Sequence, residues 1–232
     1  MAAIRNYHDL AATIDHTLLS ATAAREDIVR LCEEAKEWGF ASVCVNPRWV
    51  QSAADMLEGS SVKVCSVISF PFGAETTDTK SGAAENAIFD GAAEIDMVAD
   101  LAAIQAGDKA YFSNEVMEVL AVCRLMQPAA TLKVIIEAAA LSDDQKIFAC
   151  RVCAGAGADF IKTSTGFHPA GGAKIEDVKL MKRDGGACRI KASGGIRTAQ
   201  DALAMLAAGA DRLGCSASVA IMRQFREMAR QP

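Results

Sequence analysis

Short apolar runs rich in β-branched residues recur along the chain at spacings of roughly 20 to 35 residues, and amphipathic, alanine-rich helical patterns fill the stretches between them. Eight such runs centre on Thr13–His16, Ser42–Asn46, Lys63–Ser69, Glu94–Val98, Leu132–Glu137, Phe160–Ser164, Arg189–Ser193 and Arg212–Ser216. Gly39, Gly91, Gly157 and Gly209 each follow a helical stretch and precede a strand, as expected where a helix ends in a left-handed turn. Continuous apolar runs such as Val134-Ile-Ile136 suit strands of a parallel sheet covered on its outside. The pattern predicts a chain of βα units, and eight units favour a closed barrel over an open doubly wound sheet. No Gly-x-Gly-x-x-Gly follows the first strand, which weakens a dinucleotide-binding alternative. The expected fold class is therefore α/β, a (β/α)8 TIM barrel, with residues 1–232 forming one domain.

At 232 residues the chain is slightly short for such a barrel but long enough for one large core. No apolar run approaches the roughly 20 residues that span a bilayer, so no membrane association is expected. The start, Met1-Ala-Ala-Ile-Arg-Asn-Tyr-His8, lacks the features of a secretory leader, and a cytoplasmic location is the expectation. Eight cysteines sit inside apolar segments and read as reduced core thiols. Cys150 and Cys153 form a lone C-x-x-C in a helical stretch, where packing explains them better than metal or redox chemistry. The net charge of −5 arises from 24 basic and 29 acidic residues that are intermixed, so a small-molecule partner is favoured over nucleic acid.

Two strands carry the same phrase. Ile161-Lys162-Thr163-Ser164 precedes Gly166, and Ile190-Lys191-Ala192-Ser193 precedes Gly194 and Gly195. A lysine in the middle of a central strand is expensive unless its ammonium finds water or a partner. Neighbouring strands lie about 4.8 Å apart, so two inward-facing lysines in register come close and each disfavours the other's charge. Mutual repulsion and partial burial are a known route to the neutral amine that attacks a carbonyl and forms a Schiff base. The structural alternative is that either lysine bridges carboxylates inside the barrel. Lys63 and Lys133 are weaker candidates, because they are expected near strand starts where a side chain escapes at the barrel's stability face.

Asp96 lies within the apolar frame Glu94–Val98 and Asp15 occupies a similar place on the first strand, so both are expected to face inward. Layers drawn from alternate strands would place Asp96 with Lys162 and Asp15 with Lys191, as a proton relay or as buried ion pairs. The last three strand-to-helix loops read Ser164-Thr-Gly166-Phe, Ser193-Gly-Gly-Ile-Arg197-Thr and Gly214-Cys-Ser216-Ala-Ser218. Small residues before helix N-termini admit an anion close to the backbone, the usual phosphate site of such barrels. Thr165, Gly166, Gly194, Gly195, Arg197, Gly214 and Ser216 are the candidate substrate- and phosphate-binding residues. His16 should point away from the lumen or into the first loop, and His168 lies in a glycine-rich loop. Neither has a neighbour at ligand spacing, and no metal is expected. Cys44 ends the second strand with nothing in sequence to activate it.

Asp15-His-Thr-Leu-Leu19, Val43-Cys-Val-Asn-Pro-Arg48, Glu94-Ile-Asp96, Lys133-Val-Ile-Ile-Glu137, Phe160-Ile-Lys-Thr-Ser-Thr-Gly166 and Lys191-Ala-Ser-Gly-Gly-Ile-Arg197 together resemble the deoxyribose-phosphate aldolases. The resemblance spans almost the entire chain. It implies a class I lyase that reversibly cleaves 2-deoxy-D-ribose 5-phosphate to acetaldehyde and D-glyceraldehyde 3-phosphate in deoxynucleoside breakdown, without metal or organic cofactor. It implies that Lys162 forms the Schiff base, that Lys191 lowers its pKa and assists proton transfer, and that Asp96 works through a water. Some relatives carry a lysine where this chain has Phe167, and some end in a tyrosine-bearing tail where this chain reads Arg230-Gln-Pro232. After Glu137 the chain reads Ala-Ala-Ala-Leu141 where many relatives have threonine and glycine. The competing readings are another phosphate-binding barrel aldolase or isomerase, and a non-catalytic sugar-phosphate binder. The sequence does not set the oligomeric state, although small barrels of this kind are often homodimers.

Overall fold

The computed structural model describes residue 4 and residues 6–228. Eight parallel strands close in sequence order into a barrel. They are β1 Ile14–Leu18, β2 Ser42–Val45, β3 Lys63–Ile68, β4 Glu94–Val98, β5 Thr131–Ile135, β6 Phe160–Lys162, β7 Arg189–Ser193 and β8 Arg212–Cys215. β8 closes onto β1 with Ile14 opposite Leu213 and Asp15 opposite Gly214. The helices are α1 Tyr7–Ala11, α2 Arg25–Trp38, α3 Val50–Leu57, α4 Thr77–Phe89 and α5 Leu101–Ala106. They continue with α6 Lys109–Leu125, α7 Asp143–Ala156, α8 Ile175–Asp184, α9 Ala199–Ala208 and α10 Ser218–Met228. No helix among the described residues is long and apolar enough to cross a membrane. The tail from residue 229 to Pro232 and residues 1–3 and 5 of the expected leader-free start lie outside the described residues.

Local sequence accounts for the helix ends. Ser142 accepts from the Gln145 N–H while the Gln145 side chain accepts from the Ser142 N–H, a reciprocal cap that starts α7. Gly157 ends the same helix at φ 85°, a conformation that a side chain at Cβ would disfavour. Thr198 and Asp201 repeat the reciprocal cap at α9, just beyond the Ser193-Gly-Gly turn.

Side-chain alternation along the strands separates two environments. Ile95 and Met97 of β4, Leu132 and Val134 of β5, and Ile190 and Ala192 of β7 belong to the large apolar cluster shared with the helices. The residues between them, Asp96, Lys133 and Lys191, are fully buried on the other side of the sheet wall. The apolar core therefore lies between sheet and helices, while the lumen is filled largely by charge. All eight cysteines are free and buried.

One buried ion pair outside the lumen fixes a loop at the C-terminal face. Lys80 of α4 donates to the carbonyls of Gly73 at 2.8 Å and Val98 at 2.9 Å, and to Glu115 Oε1 of α6 at 2.5 Å. It thus ties the loop after β3 to the end of β4. Lys80→Ala leaves the Glu115 carboxylate buried without its cation and should lower the unfolding free energy by about 3–5 kcal/mol in urea titrations. The Lys80→Met/Glu115→Leu double variant should recover part of that loss; equal losses in the single and double variants would show that the pair is not the cause.

Candidate active site

Asp96 stands at the third position of β4 with its carboxylate between three lysines. Its Oδ2 accepts from Lys162 Nζ at 2.7 Å and from Lys191 Nζ at 2.7 Å, and its Oδ1 accepts from Lys133 Nζ at 2.8 Å. The register explains the convergence: Asp96 lies beside Lys133 across β4 and β5, and Lys162 lies beside Lys191 across β6 and β7. A second layer of ions continues toward the strand starts. Lys133 Nζ is 2.6 Å from Glu94 Oε2, and Arg212 bridges Glu94 at 3.3 Å and Asp15 at 2.5 Å. Lys191 Nζ is also 2.5 Å from Asp15 Oδ2, an ion contact without the alignment of a hydrogen bond. Ser42 donates to the other Asp15 oxygen at 2.7 Å.

The sequence reading placed Lys162, Lys191, Asp96 and Asp15 in one interior cluster, and the structure brings them together there. It differs in two respects. The two ammonium groups are bridged by Asp96 rather than left facing each other. Lys133, expected to escape at the stability face, is instead fully buried and bonded to Asp96 and Glu94. The physical reason is strand placement: β5 begins at Thr131, so Lys133 is its middle residue rather than near its start. Lys63 does behave as expected, half exposed and 3.9 Å from Glu94. Arg212 and Cys65 were not singled out from sequence.

Burial and charge oppose each other throughout the cluster. Desolvation pushes the Asp96 carboxyl up, but Lys133, Lys162 and Lys191 outweigh it and hold the group well below the usual carboxylate range. Asp15 is likewise held far down by Lys191, Arg212 and Lys133 against the desolvation of burial. Burial alone would strip the Lys191 proton, yet Asp15 and Asp96 raise its pKa well above that of an ordinary lysine. The charged form of Lys191 is thus favoured beside Lys162.

Above this cluster a cavity of about 510 Å³ opens at the C-terminal ends of β1, β6, β7 and β8. Lys162 lines it, whereas Lys191 and Asp96 lie beneath. Thr165, Gly166, Gly194, Gly195, Arg197, Gly214 and Ser216 all line the same cavity, as their sequence grouping predicted. The main-chain N–H groups of Gly166, Gly194, Gly195 and Ser216 have no hydrogen-bond partner among the described residues. Four unpaired main-chain donors at one cavity wall are an arrangement suited to an anion. Two of the candidates serve the site indirectly. A Cβ on Gly214 would stand 2.9 Å from Ser193 Cβ and 3.2 Å from Lys191 Cε, so this glycine makes room for the lysine. Thr165 has its hydroxyl and N–H engaged by Glu137. Phe167, where some relatives have lysine, meets Phe70 edge to face with ring centroids 5.3 Å apart at the rim.

Other sequence candidates lie apart. His16 faces away from the lumen, bonded to Glu34 at 2.8 Å and Ser218 at 3.0 Å; burial lowers its pKa against the Glu34 contact. Half-buried His168 accepts from the Ala170 N–H in its own loop. Tyr7 stacks under Arg226, and Tyr111 sits at the exposed start of α6. The sequence offered Cys44 no neighbour, but β2–β3 register brings it opposite Cys65. A hydrogen bond with Cys65 draws the Cys44 pKa down despite burial, while burial pushes Cys65 up. Cys44, Cys65 and Asp96 present ligand atoms within 4.8 Å of one another. Lys133 already occupies two of those atoms, at 3.3 Å from Cys65 Sγ and 2.8 Å from Asp96 Oδ1.

Comparison with known proteins agrees with this geometry. The family described as DeoC/LacD family aldolase matches residues 10–223. A deoxyribose-phosphate aldolase of Geobacillus sp. (strain WCH70) is 50% identical over 216 residues, covering 93% of this chain and 95% of the relative. One from Bacillus cereus (strain B4264) is 49% identical over 215 residues, covering 92% and 95%. Among solved structures, the tetrameric deoxyribose phosphate aldolase from Aeropyrum pernix superposes with a TM-score of 0.89 at 33% identity, covering 96% of this chain and 93% of that one. QR15, an aldolase, gives a TM-score of 0.88 at 37% identity with 95% and 97% covered. A match over nearly the whole barrel, including every lumen strand, establishes that this chain belongs to the DeoC/LacD family of aldolases.

Proposed function

We propose that this protein reversibly cleaves 2-deoxy-D-ribose 5-phosphate to acetaldehyde and D-glyceraldehyde 3-phosphate, through a Schiff base between Lys162 and C1 of the open-chain sugar. The observation that carries the proposal is Lys162 on the cavity wall, tied to the same Asp96 oxygen as a second lysine, Lys191. Four lumen cations, Lys133, Lys162, Lys191 and Arg212, meet three carboxylates, Asp15, Glu94 and Asp96. Loss of one proton balances that cluster, and Lys162 is the cation with a single carboxylate partner and access to the cavity. The neutral Lys162 amine then attacks the aldehyde.

Attack gives a carbinolamine, whose oxygen takes a proton from the relay and leaves as water; the resulting iminium carries the same charge as the ammonium it replaces, so Asp96 stabilises both without rearrangement. It also serves as the electron sink. A base acting at the C3 hydroxyl takes its proton, the C3–O pair becomes the new carbonyl, and the C2–C3 electron pair passes to the iminium as an enamine. Glyceraldehyde 3-phosphate departs; protonation at C2 and hydrolysis release acetaldehyde and return Lys162. Asp96, Lys191 and Asp15 form the relay that moves these protons, and this chemistry calls for no metal or organic cofactor. The phosphate rests on the free N–H groups of Gly166, Gly194, Gly195 and Ser216, with Arg197 at the mouth. Placement in the cytoplasm and assembly as a homodimer complete the reading.

Borohydride reduction with acetaldehyde should leave an ethyl group on Lys162, located by peptide mass spectrometry, and Lys162→Ala should show neither adduct nor cleavage. Intact phosphate binding with no adduct would favour a binder; turnover by Lys162→Ala would rule the mechanism out. Lys191→Leu removes the charged proton carrier and should lower kcat by about 10²–10⁴-fold in steady-state cleavage assays while Lys162 is still trapped by acetaldehyde. A kcat within a few-fold of the parent would remove Lys191 from the relay.

A further inference from the structure

Glu137 follows β5 and is 1% exposed, yet no ion pair holds it among the described residues. Its backbone adopts φ 50° and ψ 56°, a left-handed conformation that a non-glycine residue occupies only when its surroundings demand it. The demand comes from one partner. The Thr165 hydroxyl donates to Glu137 Oε2 at 2.5 Å, and the Thr165 N–H is shared between the two carboxylate oxygens at 3.3 and 3.2 Å. The same hydroxyl accepts from the Phe167 N–H at 3.0 Å. Behind it, the Ala138 N–H donates to the Thr163 carbonyl at 2.7 Å, locking the start of the Ala138–Ala140 turn to the end of β6.

The N–H groups on both sides of Gly166 are therefore consumed, and the Gly166 N–H between them is left free. Gly166 is packed so closely on Gly194 that a Cβ on Gly194 would stand 3.3 Å from Gly166 Cα. A small shift of Thr165 would carry Gly166 away from the donors of Gly194 and Gly195.

We infer that Glu137 is a positioning residue for the anion cradle: its carboxylate clamps Thr165 and so aims the Gly166 N–H at the substrate phosphate. This rests on the substrate assignment above. A side chain with two acceptor oxygens suits the task, because it holds the Thr165 hydroxyl and N–H at once. Glu137 touches neither the reacting carbons nor Lys162 in this scheme, so its loss should weaken phosphate recognition and spare Schiff-base formation.

The test compares Glu137→Leu and Glu137→Gln with the parent, using inorganic phosphate as competitive probe and glyceraldehyde 3-phosphate or unphosphorylated glyceraldehyde as acceptors for acetaldehyde. Glu137→Leu should raise the phosphate inhibition constant and the KM for glyceraldehyde 3-phosphate by about tenfold, equivalent to ~1.4 kcal/mol. Its KM for unphosphorylated glyceraldehyde and its trapping of acetaldehyde on Lys162 should stay within about twofold, since neither ligand uses the cradle. Glu137→Gln, which keeps one acceptor oxygen for Thr165, should restore most of the phosphate affinity. Equal losses with both acceptors, or unchanged phosphate inhibition in Glu137→Leu, would overturn the positioning role. A parent enzyme indifferent to phosphate on either probe would overturn the substrate assignment itself, and this inference with it.

Discussion

The Asp96 carboxylate is the interaction on which the lumen depends. Three ammonium groups from three different strands reach it, and none of them could remain charged at that depth without a shared counter-ion. The converse holds too: a carboxylate with no water would take up a proton unless cations surround it. Each group is tolerable only because the others are present, so the cluster behaves as one unit. Its position is set by backbone register across four consecutive strands, which the apolar outer core makes rigid.

That rigidity reflects a division of labour across the sheet wall. One set of alternating side chains packs Val, Ile, Leu and Met against the helices and supplies the burial that drives folding. The other set is released from that duty and carries ionic chemistry instead. Where the cavity meets Lys191 and the loops after β6 and β7, its lining narrows to Gly166, Gly194 and Gly214, because a Cβ on Gly194 or Gly214 would crowd Gly166 or Lys191. Gly214 illustrates both constraints: it sits in a strand, lines the cavity and leaves the space that the Lys191 side chain occupies.

Much of this was legible in the chain. Periodicity located all eight strands, and the repeated Ile-Lys phrase located two of the three lumen lysines, because a cation between apolar neighbours stands out against its frame. Lys133 was misjudged for a specific reason. Strand ends are the least certain feature of a sequence, and with β5 starting one residue earlier and ending at Ile135, Lys133 becomes the middle position of the strand instead of a rim position. Arg212 was hidden because arginine at the start of a strand normally reaches solvent, and only the layer below Asp96 gives it carboxylates to meet. Pairings such as Cys44 with Cys65 or Glu137 with Thr165 join residues at least 21 positions apart, and no local pattern encodes them.

Residue type alone cannot say which lysine reacts, since the lumen holds three. Lys133 is pinned by Glu94 and Asp96, and Lys191 by Asp15 and Asp96. Lys162 has Asp96 alone. It is also the lysine of the three that lines the cavity, standing at the last position of β6. Access and counter-ion number thus point to the same side chain. At least two carboxylates favour the charged form of each of the more heavily paired lysines, which marks the least paired one as the lysine for the proposed Schiff base. In this architecture the proposed nucleophile is singled out by the carboxylates its neighbours already hold.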